Sequence, residues 1–341
     1  MPDFRMPSSH HPMTTLSRRH LLGAGLALAG STTLPALAQS DKYPSRPITL
    51  VVPFPPGGSV DVMARIYSDA LSRILGVPMV IENKPGAGGS IGTQYVARAK
   101  PDGYTLVVSS QSSHLANPLV QPNLGYDPIK DFANLAMLGR QPNVVVVHPS
   151  LPVKNMQEFV AYLKARPGQV NFCSAGAGSM GQLNAEAMLM QYGVQAMHIP
   201  YKGGSPLITA VLANEVQFAF DNLVIFLEHI KAGKLRALAV AAPERLAQLP
   251  DVPTFGELNQ PMLNQTSWTG IAAPQNVPAD IQDILFKAIR QAATEPAMVK
   301  QLNDRAVIVP EDMKPAAFEK MMADRLVGYG EVVRRAKIKP E

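Results

Sequence analysis

Four glycine-rich turns are the part of this 341-residue sequence whose residue types and spacing could do chemistry. Each turn follows a short apolar run, precedes a helical pattern and places serine beside glycine. The turns are Pro55-Pro-Gly-Gly-Ser59, Pro85-Gly-Ala-Gly-Gly-Ser90, Ala175-Gly-Ala-Gly-Ser179 and Lys202-Gly-Gly-Ser205. The first turn of a helix has unpaired N–H groups and a positive dipole end, and glycine lets a ligand approach them. One such turn is more often a simple helix cap, but four together favour a cleft that binds carboxylate or phosphate.

A nucleotide cofactor is the first alternative for these turns. Gly176-Ala-Gly-Ser-Met-Gly181 matches the pattern G-x-G-x-x-G between a predicted strand and a predicted helix. A dinucleotide site also needs an acidic residue about 20 positions further on, at the end of the next strand. That strand runs into His198-Ile-Pro-Tyr-Lys202 and has no acidic residue there. We therefore predict no cofactor.

A hydrolase is the second alternative, because Ala177-Gly-Ser-Met-Gly181 is close to the nucleophile motif G-x-S-x-G. Ser179 would be the nucleophile of an exported α/β hydrolase. Only His198 and His229 follow it, and no acidic residue is well placed in the expected order. The hydrolase stays open as an alternative, but the pattern favours binding over catalysis.

Isolated polar residues add weaker indications. His114 and His198 lie near predicted strand ends and could reach a cleft, although a buried histidine with a structural role is commoner. Asp221 ends a predicted strand and is the better cleft candidate, whereas Asp61 suits the positive end of its helix. The lone cysteine, Cys173, cannot form an intrachain disulfide, and no Cys/His cluster has zinc-ligand spacing, so we predict no metal.

The elements that would position these turns alternate between apolar β-branched runs and amphipathic stretches. Strands are predicted at Ile48–Pro53, Met79–Glu82, Tyr104–Ser109, Asn143–His148, Val170–Ser174, Ala196–Pro200, Val216–Asp221 and Leu235–Ala241. Helices are predicted at Val60–Leu75, Ile91–Ala99, Met156–Ala165, Gly181–Tyr192, Pro206–Ala213, Ala279–Thr294 and Pro315–Arg335. This rhythm predicts an α/β fold with largely parallel sheets.

The chain is predicted to cross between two domains and return. Gln141-Pro142 opens the very apolar strand Asn143–Val147 after a loop-rich passage from Asn117 to Arg140, and a second apolar strand, Leu235–Ala241, ends near Pro243. A cleft between two rigid lobes would be the natural place for a ligand.

Composition excludes several classes and points to export. With 46% hydrophobic and 17% charged residues, the chain can bury a core and is not globally disordered. The excess of 31 Lys and Arg over 26 Asp and Glu hints at nucleic acid, but part of it lies in the N-terminal segment. There Arg18-Arg19 precedes the apolar run Gly23–Gly30 and a cleavage pattern ending at Ala38. Residues 1–38 are therefore predicted to be a signal peptide, similar to the twin-arginine type, and nucleic acid is not the expected partner.

Longer motifs resemble one known family. Val51-Val-Pro-Phe-Pro-Pro-Gly-Gly-Ser-Val-Asp61, Glu82-Asn-Lys-Pro-Gly-Ala-Gly-Gly-Ser-Ile-Gly92 and Pro101-Asp-Gly-Tyr-Thr-Leu106 are similar to the tripartite tricarboxylate transporter receptors, also called Bug receptors. The resemblance resumes at Tyr126-Asp-Pro-Ile-Lys-Asp-Phe132 and Ala232-Gly-Lys-Leu-Arg-Ala-Leu-Ala-Val240. It covers nearly the whole chain after the signal peptide, in order.

The resemblance implies a periplasmic binding protein-like fold of type II, with two α/β lobes around a ligand cleft. Lobe 1 would comprise residues 43–141 and 242–341, and lobe 2 residues 142–241. The protein would be a monomeric periplasmic receptor, not an enzyme, that delivers a small carboxylate to integral membrane subunits of a transporter, or reports it to a membrane kinase. The implied ligand-binding residues are Phe54, Pro55, Gly57, Gly58, Gly88, Ser90, Ser109, Ser110, His114, Ser174, Gly178, Ser179 and Asp221. Relatives often carry histidine where this chain has Gln182, which loosens the comparison at that turn.

Overall fold

Ten strands form two five-stranded sheets in the part of the chain that this computed structural model describes, residues 42–121, 123–311 and 314–336. The strands are β1 (Ile48–Val52), β2 (Met79–Asn83), β3 (Thr105–Ser110), β4 (Phe132–Gln141), β5 (Asn143–Val147), β6 (Asn171–Ser174), β7 (Met197–Pro200), β8 (Phe218–Asn222), β9 (Arg236–Ala241) and β10 (Ser267–Pro274). The α-helices are α1 (Ser59–Leu75), α2 (Ser90–Ala97), α3 (Asn117–Val120), α4 (Met156–Lys164), α5 (Met180–Tyr192), α6 (Gly204–Leu212), α7 (Leu223–Lys231), α8 (Ala279–Thr294), α9 (Pro296–Asn303) and α10 (Pro315–Ala336). Shorter helical turns lie at Ala87–Gly89, Ser112–Ala116 and Pro261–Leu263, the second of them π-helical.

The two sheets are mixed, not largely parallel as the sequence predicted. One has the order β2-β1-β3-β10-β4, and the other has the order β7-β6-β8-β5-β9. In the first sheet β1 is parallel to β2 and β3, but β10 runs antiparallel to β3 and β4. In the second sheet β5 runs antiparallel to β8 and β9. Each antiparallel pair includes a strand that directly precedes or follows a crossing of the chain from one sheet to the other, namely β4, β5, β9 or β10. We call the first sheet with its helices lobe 1 and the second sheet with its helices lobe 2.

Two crossings connect the lobes. The chain leaves β4 through Pro142 to enter β5, and it returns between β9 and β10. The two crossings are tied together, because Ser267 Oγ donates to Asn143 Oδ1 at 2.9 Å and Asn143 Nδ2 donates to the Gln265 carbonyl at 2.9 Å. Helix α10 also packs against α5, so helices from the two lobes meet beside these crossings.

The sequence patterns located eight of the ten described strands and missed β4 and β10. The passage predicted to be loop-rich contains β4, whose sequence Phe-Ala-Asn-Leu-Ala-Met-Leu-Gly-Arg-Gln has no β-branched residue. The helices α3, α7 and α9 were also not predicted. Pairing with neighbouring strands, and not local preference, makes such segments strands.

Each lobe has its own core because its helices bury one apolar stripe against a sheet. Helix α1 shows the pattern, since Val60, Met63, Ala64, Tyr67 and Leu71 are buried at helical spacing. It ends where Gly76 takes the left-handed conformation, at φ 71°, and its N–H bonds to the Ser72 carbonyl.

The predicted signal peptide falls on residues outside the described ones, so nothing about it is tested by the fold. In residues 42–121, 123–311 and 314–336, none of the helices combines the length and the apolar character that crossing a bilayer requires.

Candidate functional site

A small inner cavity of about 40 Å³ lies between the two lobes. That volume would hold a few ordered waters or one carboxylate group, at roughly 10–15 Å³ for a water. Lobe 1 contributes Phe54, Gly58, Ser59, Val60 and Ser112, and lobe 2 contributes Ala175, Ser179, Gly181, Gly204, Asp221, Asn222 and Ile225. The cavity is therefore built from the ends of strands and the beginnings of helices in both lobes.

A larger outer cavity of about 670 Å³ adjoins the inner one, sharing Phe54 and Ala175 with it. It is lined by Phe54, Pro55, Pro85, Gly86, Ala87, Gly88, Gly89, Val120, Gln121, Asn123, Ala175, Gly176, Ala177, Tyr201, Lys202 and Gly203. All four predicted glycine-rich turns thus contribute to the wall of the outer cavity, the first of them through Pro55 alone. Lys202 is the cationic side chain in this lining.

Four helix N-termini converge on the inner cavity. Helices α1 and α6 present their first residues, Ser59 and Gly204, and helices α5 and α7 present their N-cap residues, Ser179 and Asn222. None of the four N-caps forms a side-chain capping hydrogen bond. The positive ends of the helix dipoles therefore point at one small space, which suits a negatively charged group.

Unpaired polar atoms face the same space. Ser179 Oγ and Asn222 Oδ1 are buried without a hydrogen-bond partner among the described residues. Buried polar groups are rarely left unpaired in a folded protein, because each lost hydrogen bond costs about 1–3 kcal/mol. A hydroxyl that can donate and an amide oxygen that can accept indicate a polar ligand or ordered water at this position.

The lobes are in direct contact around the inner cavity. Ser205 Oγ of α6 donates to the Pro56 carbonyl at 2.8 Å, and Asn222 Nδ2 donates to Ser59 Oγ at 3.1 Å. A Cβ placed on Gly204 would lie 2.9 Å from Gly58 Cα, so only glycine allows this approach. The lobes thus touch each other around the inner cavity, an arrangement that we call the closed state.

Asp221 is the carboxylate in the lining of the inner cavity, and it has no cationic partner among the described residues. Burial raises the pKa of Asp221 to about 6, against the opposing effect of hydrogen bonds from the Asn222 N–H and Nδ2. Its Oδ2 lies against the first turn of α5, where a Cβ on Gly181 would collide with it.

Asp61 holds the first glycine-rich turn in place from behind. It is 2% exposed and accepts hydrogen bonds from the Gly57 N–H at 2.9 Å, Arg65 at 2.8 Å and Asn83 Nδ2 at 2.9 Å. Burial opposes ionisation, but these hydrogen bonds from Arg65, Gly57 and Asn83 bring the pKa of Asp61 below its ordinary value. The side chain therefore organises the turn and does not reach the ligand space.

Six of the predicted site residues line one cavity or the other: Phe54, Pro55, Gly58, Gly88, Ser179 and Asp221. The remaining seven line neither. Gly57 faces Ser205, and Ser90 Oγ donates to the Ala87 carbonyl at 2.9 Å. Gly178 lies against Val120, and its N–H donates to Gln182 Oε1 at 2.7 Å. Gln182 thus stabilises the turn.

The two serines that end β3 and the histidine that follows the strand are buried and line neither cavity. Ser109 is 0% exposed within the sheet, and Ser110 is hydrogen-bonded to Ser113. His114 packs on Phe132 at 5.0 Å between ring centroids, and burial lowers the pKa of His114 to about 3. It is therefore a neutral core residue in this structure and not part of the cleft wall.

Ser174 also points away from the ligand space. Its Oγ pairs with His198 Nε2 at 2.7 Å and donates to the Gly176 carbonyl at 2.8 Å. His198 is thus committed to Ser174 and gives Ser179 no general base, which removes the geometric basis of the hydrolase alternative.

Ser59, Ser112, Gly204 and Asn222 line the inner cavity but were not among the predicted site residues. Ser59 and Gly204 belong to predicted turns, and Asn222 directly follows Asp221, so adjacency could have indicated them. Ser112 could not be found in this way, because its role depends on a cross-lobe hydrogen bond from the Met180 N–H at 3.2 Å.

Two α/β lobes in contact over a polar cleft define a solute-binding protein of the periplasmic type. Residues 63–338 match the sequence profile of the tripartite tricarboxylate transporter family receptor, and the chain belongs to that family. It is 37% identical over 322 residues to BugT of Bordetella pertussis, covering 94% of this chain and 98% of BugT.

Two solved structures are similar over their full length. A protein of R. palustris solved with adipate is 31% identical, with a TM-score of 0.84 over 88% of this chain and 100% of that one. MatC from Rhodopseudomonas palustris with bound malate is 31% identical, with a TM-score of 0.81 over 85% of this chain and 100% of MatC. The predicted family and fold are confirmed, and the family and these neighbours are solute-binding proteins and not enzymes.

Proposed function

We propose that this receptor captures a small dicarboxylate, with one carboxylate in the inner cavity and the rest of the ligand extending into the outer cavity. The observation that carries the proposal is the convergence of four helix N-termini, none capped by the side chain of its own N-cap residue, on one small space between the lobes. Backbone N–H groups and the Ser179 hydroxyl are the donors, and Asn222 Oδ1 can accept from a ligand hydroxyl or a bridging water.

The relatives support the choice of ligand class. The neighbours solved with adipate and with malate hold dicarboxylates, and both are similar to this chain over its two lobes. The inner cavity of about 40 Å³ is too small for a whole dicarboxylate, whereas the outer cavity of about 670 Å³ has room for a second carboxylate and its linker.

The predicted site residues take two roles in this proposal. Phe54, Pro55, Gly58, Gly88, Ser179 and Asp221 contact the ligand or its waters. Gly57, Ser90, Ser109, Ser110, His114, Ser174 and Gly178 hold the turns and strand ends in position behind that surface. In this proposal lobe 1 comprises residues 43–141 and 242–341, and lobe 2 comprises residues 142–241.

Membership of the family supports a proposal for the cellular role. The protein is exported, loses a signal peptide near Ala38, works in the periplasm as a monomer and delivers its ligand to the integral subunits of a tripartite transporter. A receptor that reports to a membrane kinase would bind the ligand equally well. Uptake of labelled malate by cells with and without the receptor gene separates the two roles. If the receptor delivers the ligand to the transporter, deleting the gene abolishes uptake. If it only reports the ligand to a kinase, uptake through the transporter continues.

Calorimetric titration of the purified protein with malate, adipate and citrate tests the binding proposal. We expect at least one to bind with a dissociation constant near or below about 1 μM, which is about −8 kcal/mol. Ser179→Ala should weaken that ligand about fivefold to tenfold, because one hydrogen bond is worth about 1 kcal/mol. Ser150→Ala, at an exposed serine outside both linings, is the matched control.

The opposite results would contradict the proposal. Absence of heat with every carboxylate, together with ester hydrolysis that Ser179→Ala abolishes, would assign the cleft to a hydrolase.

A further inference from the structure

A separate cavity of about 480 Å³ lies where α5 of lobe 2, α10 of lobe 1 and the second crossing between the sheets meet. We call it the crossing cavity. Its polar lining includes Arg140, Asn184, Asn264, Gln265, Thr266, Asp324, Arg325 and Tyr329. It shares no lining residue with the inner or the outer cavity.

Two arginines without a carboxylate partner face the crossing cavity. The Arg325 Nη1 donates to the Thr266 carbonyl at 2.6 Å and to Gln111 Oε1 at 3.1 Å, and both acceptors are neutral. In the described ranges, neither Arg325 nor Arg140 forms an ion pair. The acidic residue in the lining, Asp324, is paired with Lys320 at 2.7 Å. The cavity therefore has an uncompensated positive charge.

The charge at this place is costly to the folded chain. Burial lowers the pKa of Arg325 below its ordinary value; Tyr329 opposes this shift, and the neighbouring charge of Arg140 adds to it. A partly buried guanidinium without a counterion is destabilising, and two like charges facing one space repel each other. An anion in the cavity would remove both costs.

A buried amide supplies an independent indication of a ligand. Asn184 of α5 is 6% exposed and lines the cavity, and its Nδ2 is buried without a hydrogen-bond partner among the described residues. The Asn184 amide and the two guanidinium groups are all hydrogen-bond donors, so a ligand that binds them must be an acceptor with several lone pairs. Oxyanions have this property, and arginine binds them with two parallel hydrogen bonds.

We propose that the crossing cavity is a second binding site, for a small oxyanion of the phosphate or carboxylate type, held by Arg140, Arg325 and Asn184. Its walls come from both lobes, since Arg140 and Arg325 belong to lobe 1 and Asn184 belongs to lobe 2. The occupant would bridge the lobes beside the two crossings of the chain.

Titration of the full-length purified protein with inorganic phosphate, and in parallel with acetate, tests this site and separates the two sources of an oxyanion. We expect saturable one-to-one binding of at least one of these anions. Arg140→Gln should weaken it at least tenfold. Asn184→Asp should weaken it similarly, because the introduced carboxylate repels the anion.

Matched variants tie the binding to this cavity and not to the cleft. Arg290→Gln removes an exposed arginine outside all three linings and should leave anion binding unchanged. Ser179→Ala, a change in the cleft, should also leave it unchanged, and Arg140→Gln should bind the cleft ligand normally. Circular dichroism of each variant checks folding.

Two results overturn the proposal. One is a wild-type protein that binds neither anion. The other is anion binding that survives Arg140→Gln and Asn184→Asp but is lost in Ser179→Ala, which would place the anion in the cleft.

Discussion

Asp221 is a buried carboxylate in a cleft that is otherwise arranged for anions. Its neighbours in the inner cavity are helix N-termini and neutral side chains, and no cation of the described chain compensates it. The ionised form is therefore disfavoured by burial, and protonation makes the cleft more receptive to a carboxylate.

The raised pKa of Asp221 makes the stability of the protein depend on pH. Because the pKa of Asp221 is raised from 3.8 to about 6, protonated Asp221 stabilises the fold fully below about pH 3.8 and loses that contribution as the pH rises through about 6. Asp221→Asn should therefore be more stable than the wild type at pH 7 by about 2–3 kcal/mol, with the gap closing near pH 4. Urea unfolding across this range measures it.

The affinity of Asp221→Asn for a carboxylate should also differ from that of the wild type in its dependence on pH. The ratio of wild-type affinity to Asp221→Asn affinity should fall as the pH rises through about 6, because ionisation of the ligand itself affects both proteins equally. Parallel pH profiles for the two proteins would instead show that Asp221 does not face the ligand.

His114 gives a prediction of opposite sign. The pKa of His114 is lowered by burial from 6.5 to about 3, so its neutral form contributes stability that is present above about pH 6.5 and is lost as the pH falls towards 3. Acidification from pH 6.5 to about pH 4.5 should cost the wild type about 2–3 kcal/mol more than it costs His114→Gln. The measurement is the pH slope of the unfolding free energy, which tolerates a lower absolute stability of the variant.

His148→Gln is the matched control, at a histidine that is only half-buried and bonded to Ser150 at 2.7 Å. Equal slopes for the two variants would contradict the assignment of the acid sensitivity to His114.

At the scale of elements, the beginning of α6 decides how closely the lobes meet. A Cβ on Gly204 would lie 2.9 Å from Gly58 Cα, and this contact is with backbone that cannot rotate away. Gly204→Ala should therefore hold the lobes apart and weaken ligand binding about tenfold or more, while the unfolding free energy of the ligand-free protein changes by less than about 1 kcal/mol.

Gly256→Ala is the control for that change. The atoms nearest to its added Cβ are 3.5 Å away, an ordinary contact outside both cleft linings. Small-angle scattering with saturating ligand should give a larger radius for Gly204→Ala than for Gly256→Ala. Equal radii and equal affinities would show that the contact does not limit closure.

At the scale of the whole molecule, the closed state depends on hydrogen bonds that exist only when the lobes meet. Ser205 Oγ in lobe 2 donates to the Pro56 carbonyl in lobe 1 at 2.8 Å. Ser205→Ala should lower ligand affinity about twofold to tenfold, the effect of about 0.5–1.5 kcal/mol for one hydrogen bond, with little effect on unfolding.

A serine within one lobe provides the contrast. Ser72 Oγ donates to the Ser68 carbonyl and accepts from the Met79 N–H, both in lobe 1. Ser72→Ala should therefore lower the unfolding free energy and leave affinity unchanged. Calorimetry measures the ligand affinity of both variants, and urea unfolding measures their stability. If Ser205→Ala and Ser72→Ala changed affinity and stability in the same way, the distinction between the two serines would be refuted.

Local sequence determined most of the elements and the turns between them. Amphipathic spacing located α1, and β-branched runs located β1 and β5, because these segments bury a face that their own residue pattern defines. The turn Pro55-Pro-Gly-Gly-Ser59 was recognisable as a helix start that could bind an anion, since glycine and serine act there through neighbouring backbone.

Tertiary structure alone decided which residues reach the ligand. His114 follows β3 like a cleft residue, but Phe132 and Trp268, distant in sequence, enclose it. Ser112 lines the cleft and accepts a hydrogen bond from the Met180 N–H of the other lobe. Strand β4 has no β-branched residue and is a strand because β10 pairs with it. These outcomes depend on contacts between segments far apart in the chain, which no local pattern contains, whereas the helix starts that surround the cleft are set by residues adjacent in sequence.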